Sequence, residues 1–410
     1  MENNRKNSLA FLTIFIFAIS IITAIGLNGP SPVLTFIMDD LNINMAQGGF
    51  LFSVIFASVI VFNLAGPYIQ DRIGLKQMFN LTMLFTIVGL LLNLVTTSYA
   101  LLIIGRIVLG VGFGLAIPFT GAAIMHWYNP AQQVKMNTAY ALVPYIASLF
   151  VYGLTIPMFR MLGESWRMTL SVWGFVGIGI MVIWMISMKS KGPGNGDNTA
   201  ENEEVKSGEN VYIAVLKRKE VVLLIITFVC DFISFSIASG LLPTFYITEH
   251  GMSEDMANNI TLIFPIGAII AALVAGVIMT KTGRNKPLLW FGQLARMVGS
   301  FLVFLGGASA LGLFGVVLLG VGNAVWIPAM YQVPMELENM TPNRVAAAFA
   351  IITSCGFVGG IVGPPLAGWI GEAYSLGLAI GLSGIPCAIG LVACLMIRET
   401  GPGAKNKKTS

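Results

Sequence analysis

The chain holds 410 residues, 56% of them hydrophobic and 10% charged, with a mean hydropathy of +0.82 and a formal net charge of +4. Soluble domains carry about 25% charged residues, so water is excluded as the main solvent. A net charge this small gives no basis for nucleic-acid binding.

Crossing a hydrocarbon core about 30 Å thick takes about 20 mostly apolar residues. Twelve such runs follow one another, at 8–38, 46–68, 77–97, 99–125, 136–159 and 167–188, then at 221–247, 256–280, 288–308, 311–334, 345–369 and 375–397. This predicts an all-α membrane protein of two six-helix bundles. The first run follows Arg5 and Lys6 but is too long for the apolar part of a signal peptide, and is expected to remain as a helix. Lys189 to Glu209 is rich in Gly, Asn, Glu and Lys and reads as a flexible linker. The predicted division is therefore an N-terminal bundle over 1–188, a linker over 189–219 and a C-terminal bundle over 220–410. Val211–Leu216, followed by Lys217, Arg218 and Lys219, fits either a short interfacial helix or an extended connector.

Lys and Arg in short loops orient a membrane protein, because cytoplasmic loops carry the excess. With the N-terminus inside, nineteen basic residues fall on the inner side and only Arg160 and Arg167 on the outer. Both termini are thus expected in the cytoplasm of a cell-membrane protein. Cys230, Cys355, Cys387 and Cys394 all lie within spans and read as packing residues. His126 and His250 fall at span ends and read as interfacial.

The two halves repeat. Leu109-Gly110-Val111-Gly112-Phe113-Gly114-Leu115-Ala116-Ile117-Pro118 returns as Leu319-Gly320-Val321-Gly322-Asn323-Ala324-Val325-Trp326-Ile327-Pro328. Thr35-Phe36 matches Thr244-Phe245, Met45-Ala46 matches Met256-Ala257, and Asp71-Arg72-Ile73-Gly74 matches Thr280-Lys281-Thr282-Gly283. Constant order at an offset of 209 to 211 points to duplication, a design of secondary transporters that bind solute where the halves meet.

The turn Gly66-Pro67-Tyr68-Ile69-Gln70-Asp71-Arg72-Ile73-Gly74-Leu75-Lys76 resembles the signature G-x-x-x-D-R-x-G-R/K-K of the major facilitator superfamily. Asp71, Arg72, Gly74 and Lys76 occupy its positions, while the first glycine is one place early and Leu75 replaces a base. Arg106 and Gly110 resemble its R-x-x-x-G in span four. The resemblance implies a twelve-helix fold moving by alternating access. It also implies a gating role for Asp71, Arg72, Gly74 and Lys76, with Asp71 latching onto the start of span eleven near Asn343-Arg344 when the cytoplasmic side is shut. An ordinary positive-inside turn is the alternative. The stretches Gly29-Pro30 to Gln47-Gly48 and Ser165-Trp166-Arg167 are similar to the cyanate- and nitrate-type anion permeases. The arginines such carriers place in their central helices are not evident in spans one, two or eight.

Asp231 is the only acid well inside a span, about 15 Å beyond Val221. An intramembrane carboxylate is by default a functional residue, here for proton coupling and substrate binding, with a structural pair to Arg296 as the alternative. Arg106 is a candidate anion ligand unless it snorkels. Tyr145, Asn323 and Trp326 complete the candidate substrate site, while Tyr140, Tyr152, Tyr331 and Gln332 suit a pocket or helix packing equally.

Nothing resembles a phosphate-binding loop, a nucleophile with its base or a metal-ligand set, so an enzyme and a cofactor are not expected. The leading function is proton-coupled transport of a small organic or inorganic anion by a monomer in the bilayer. Export of an apolar or cationic compound, with Asp231 as counter-charge, is the second reading. A solute receptor that no longer transports is the third.

Overall fold

The computed structural model describes residues 2–128, 132–133, 136, 139–187, 211–340 and 342–401. The linker Lys189–Glu209 and Lys135 lie outside them. Every regular element among the described residues is helical: α1 (Glu2–Asn28), α2 (Leu34–Leu41), α3 (Met45–Leu91), α4 (Tyr99–Trp127), α5 (Val143–Met161) and α6 (Trp166–Ser187) come first. They are followed by α7 (Val211–Leu216), α8 (Lys219–Thr248), α9 (Glu254–Thr261), α10 (Ile263–Thr282), α11 (Lys286–Gly306), α12 (Ala310–Val325), α13 (Ile327–Glu336), α14 (Pro342–Ala373), α15 (Leu376–Leu382) and α16 (Gly384–Met396).

Eleven helical stretches are long and apolar enough to cross a membrane. One of them holds two of the twelve predicted spans. The 47 residues of α3 would reach about 70 Å if straight, more than twice the core of a bilayer. Instead the helix turns at Gly74, whose φ of 78° only glycine adopts easily, and Met78 returns to 3.6 Å from the position of a Cβ on Gly66.

Among the described residues five predicted spans are interrupted, each beside or shortly before a proline, the fifth span turning at Ala141-Leu142 before Pro144. The first span breaks after Asn28 at Gly29-Pro30, the eighth at Leu262 before Pro265, the tenth at Trp326 before Pro328, and the twelfth at Ser383 before Pro386. Proline lacks the N–H that a continuing helix requires, so it is tolerated in the first turn of a new helix. Val211–Leu216 takes the helical option, with Val215 buried.

The duplication is visible in the packing. A Cβ on Gly89 would lie 2.6 Å from the Leu109 nitrogen, and a Cβ on Gly299 would lie 2.8 Å from the Leu319 nitrogen, the same contact 210 residues on. Gly112 packs on Thr86 of α3 just as Gly322 packs on Arg296 of α11. Gly283, at the repeat-equivalent turn, shares the positive φ of Gly74, at 60°. Small residues at these seams let helix backbones approach closely.

The start of α1, the residues that follow α16 up to Gly401, and the turns at Gly74 and Gly283 lie at one face, called here the basic face. Toward the opposite face the bundles are tied together. Ser31 Oγ donates to the Gly240 carbonyl at 2.7 Å, Tyr152 Oη to the Ser239 carbonyl at 2.5 Å, and the Ala46 nitrogen to Glu372 at 3.3 Å. Arg160 pairs with Asp255 at 2.6 Å. Ser31 and Gly240 are themselves repeat-equivalents, 209 residues apart, so the turn after α1 and the helix α8 meet near the axis relating the halves.

Candidate functional site

The centre of the C-terminal bundle holds a buried polar chain. Asp231 on α8 and Arg296 on α11 are 1% and 0% exposed, with Arg296 Nε 3.1 Å from Asp231 Oδ1. The pair is held by charge and proximity, since these two atoms lack the alignment of a hydrogen bond. Arg296 also donates to the carbonyls of Asp231 at 3.2 Å and Leu319 at 3.4 Å. The Asn323 amide on α12 donates to Asp231 Oδ2 at 3.2 Å, and Tyr145 on α5 donates to Asn323 Oδ1 at 2.8 Å. Tyr145 belongs to the other bundle, so the chain Tyr145–Asn323–Asp231–Arg296 crosses the interface between the halves.

Local structure explains the convergence. The break at Trp326 ends α12 one turn after Asn323, turning Trp326 inward, where it is fully buried. The start of α11 is anchored by Glu399, which accepts from the Asn285 nitrogen at 2.8 Å and from the Lys286 nitrogen, so that acid at the basic face fixes the helix carrying Arg296. Gly322, packed against the Arg296 backbone, brings α12 close enough for Leu319 and Asn323 to reach the pair.

Two further groups meet this carboxylate. The Trp326 indole and the Gln293 amide, both fully buried, lie against Asp231. Neither is aligned for a hydrogen bond, and both polar atoms of Gln293 lack a partner. Gln293 was missed by sequence reasoning. It sits one helical turn before Arg296, on the same face, and that i, i+3 spacing is the signal that could have found it.

Arg106 is elsewhere. Its Nε donates to the Leu51 carbonyl at 3.0 Å, Nη1 to Gly26 at 2.5 Å and Nη2 to Leu27 at 2.6 Å. The Gly26 and Leu27 carbonyls are open ones left where α1 ends at Asn28 ahead of Pro30, while that of Leu51 belongs to α3. Arg106 does not snorkel: it clasps the broken end of α1 to α3 and is buried in doing so, away from the other substrate-site candidates. The structure places Asp231, Asn323, Trp326 and Tyr145 together and Arg106 apart from them.

The turn at the basic face is exposed. Arg72 stacks on Tyr68 at 4.3 Å. Asp71 is solvent-exposed and makes no ion pair or hydrogen bond among the described residues, so the expected latch onto the start of span eleven is not formed in this conformation. The side chain of Asn343, at that start, lies outside the described residues. Arg344 donates to the Asn339 carbonyl at 3.1 Å. Among the described residues, no cluster of His, Cys, Asp and Glu could hold a metal ion.

The sequence model of the Major Facilitator Superfamily matches residues 16–339 and 224–410. The chain belongs to the major facilitator superfamily. It is 24% identical over 380 residues to the hexuronate transporter of Bacillus subtilis (strain 168), covering 87% of this chain and 86% of that protein. It is also 24% identical over 383 residues to the multidrug resistance protein MdtL of Escherichia coli O81 (strain ED1a), covering 89% of each. Among solved structures, a bacterial homologue of the human lysosomal transporter Spinster, in an inward-facing and unoccupied conformation, superposes with a TM-score of 0.72 at 15% identity. That match covers 94% of this chain and 92% of the other. The protein is thus a multi-pass membrane transporter of this superfamily and not an enzyme.

Proposed function

We propose that the protein carries a small anion across the cell membrane by alternating access, with Asp231 as the proton-coupling group and both termini in the cytoplasm. The observation that carries this reading is the buried chain Tyr145–Asn323–Asp231–Arg296, which joins the two bundles through a charge pair that sums to zero. A charged side chain in a membrane interior must be paired or hydrated. Protonation of Asp231 removes the partner of Arg296, and an anionic solute is the partner that restores balance. Release of both returns the pair to the state seen here. The name of the hexuronate transporter, an anion carrier, agrees with this assignment.

Contacts of Ser31, Tyr152, Arg160 and Glu372 hold the opposite face closed and support an alternating-access state shut on that side. Basic loops are the cytoplasmic ones, so the face held shut by these contacts is the outer one. Asp71, Arg72, Gly74 and Lys76 then form a gate that engages when the basic face closes.

The test is uptake into proteoliposomes with and without an imposed pH gradient. Asp231→Asn mimics the protonated acid permanently, so it abolishes gradient-driven accumulation and retains solute-for-solute exchange. Accumulation by the variant in response to the gradient overturns the coupling role and leaves Asp231 as a structural partner of Arg296.

A further inference from the structure

The polar chain does not stand in polar surroundings. Phe228 and Phe232, one helical turn apart on α8 and flanking Asp231, are only partly buried although they lie mid-span. Phe228 meets Trp326 edge-on with centroids 5.6 Å apart, and Phe232 meets Phe56 of the other bundle at 5.2 Å and Phe357 at 5.2 Å. Gly356 and Gly360 on α14 leave slots for these rings. A Cβ on Gly356 would press on Phe228, and one on Gly360 on Phe56 and Phe232. The result is a set of aromatic faces beside one carboxylate–guanidinium pair.

Among the polar atoms around that pair without an aligned partner, three donors stand against two acceptors, Asp231 Oδ1 and Gln293 Oε1. Arg296 Nε, Trp326 Nε1 and Gln293 Nε2 are buried beside Asp231 and none has an aligned hydrogen bond. Leaving such groups unmatched is unfavourable, and a second acceptor with planar oxygens satisfies them. The hydroxyls on α1 at this level of the repeat are already committed as donors. Ser20 and Thr23 on α1 donate to their own helix at the Ile16 and Ile19 carbonyls. The charge count is also restrictive. Among the described residues the buried charged side chains are Arg106, Asp231 and Arg296, and Arg106 is committed to carbonyls elsewhere. Once Asp231 is neutral the site holds a single positive charge.

From these observations we infer that the solute is a monoanion with a flat apolar body, its carboxylate taken by Arg296, Trp326 and Gln293 and its ring packed on Phe228 and Phe232. This rests on the anion-transport reading and narrows it to ring-bearing monocarboxylates, against polyhydroxylated acids and dianions. The aromatic walls supply offset or edge-on ring contacts, and the loss of one such face costs up to about tenfold in affinity.

The experiment is equilibrium binding to the purified full chain, read by quenching of tryptophan fluorescence, with four probes: benzoate, glucuronate, phthalate and benzyltrimethylammonium. Benzoate is expected to bind at least about tenfold more tightly than glucuronate or phthalate. Phe228→Leu should weaken benzoate by up to about tenfold and leave glucuronate unchanged. The melting temperature of the variant confirms that it is folded, and Phe232→Leu provides a second test if it is not. Tighter glucuronate or phthalate binding overturns the flat monoanion and leaves anion transport standing. Binding of benzyltrimethylammonium alone overturns both. Failure of all four probes to bind the folded wild-type chain overturns the inference, as does benzoate binding that neither phenylalanine variant alters.

Discussion

The two bundles share their packing and differ in what they bury. At the position of Arg296 the N-terminal half has Thr86, which donates to its own helix at the Thr82 carbonyl at 2.8 Å. Asp231 has Ile22 as its counterpart, Asn323 has Phe113, Gln293 has Met83 and Trp326 has Ala116. The glycine seams that hold these positions are nevertheless the same in both halves, with Gly112 on Thr86 and Gly322 on Arg296. A duplicated scaffold therefore tolerates a charged centre in one copy and an apolar one in the other. The fold resides in the seams and the chemistry in the residues they present. Arg106, the buried charge of the N-terminal half, serves that half's own backbone.

The largest effect that sharpens this contrast comes from removing one member of the pair. Arg296→Met leaves the Asp231 carboxylate buried without a partner, a loss of about 3–5 kcal/mol, and should lower the melting temperature measured in detergent. The double variant Asp231→Asn/Arg296→Met should recover most of that loss. If it does not, the pair is not the source of the charge balance in the C-terminal half.

Arg106→Lys comes next. Lysine keeps the charge but not the planar fork that serves three carbonyls. One or more carbonyls at the end of α1 then goes unmatched, and about 1–3 kcal/mol of stability is expected to be lost. Unchanged melting would show that α1 does not depend on the clasp.

Equivalent glycine substitutions separate scaffold from chemistry. Gly112→Ala and Gly322→Ala each force a methyl into backbone contact, at about 1–3 kcal/mol apiece. Only Gly322→Ala displaces the backbone of Arg296, so only it should reduce gradient-driven uptake beyond what lost folded protein explains. Equal losses of uptake in both variants would erase the distinction between the halves. The smallest effect is expected at the basic face, where Asp71 has Thr280 as its counterpart. Asp71→Thr copies the other half, and by removing the latch contact proposed for the closed state, about 1 kcal/mol, it should slow solute exchange by up to about fivefold without changing solute affinity. Full-rate exchange would leave Asp71 without a gating role.

Amino-acid composition and periodicity settled the membrane solvent, the twelve passes and the duplication, because burial in lipid imposes a length and an apolar content that each span must satisfy on its own. Gly74 and Gly283 were legible as turns for a similarly local reason. The breaks in spans one, five, eight, ten and twelve were not read from the sequence, because apolarity runs straight through them; Pro30, Pro144, Pro265, Pro328 and Pro386 were the local signal. Asp231 was legible because an acid in an apolar run is anomalous wherever the run packs. Its neighbours were less so. The contacts from Arg296 to Asp231 and from Tyr145 to Asn323 join residues 65 and 178 apart in the chain, and no local pattern specifies which faces of α8, α11, α12 and α5 converge. Arg106 is the sharpest case. The sequence placed a deep arginine in span four, but whether it met a solute, the headgroups or a broken helix depended on where α1 ended beside it, and only the packing of α1, α3 and α4 decided that.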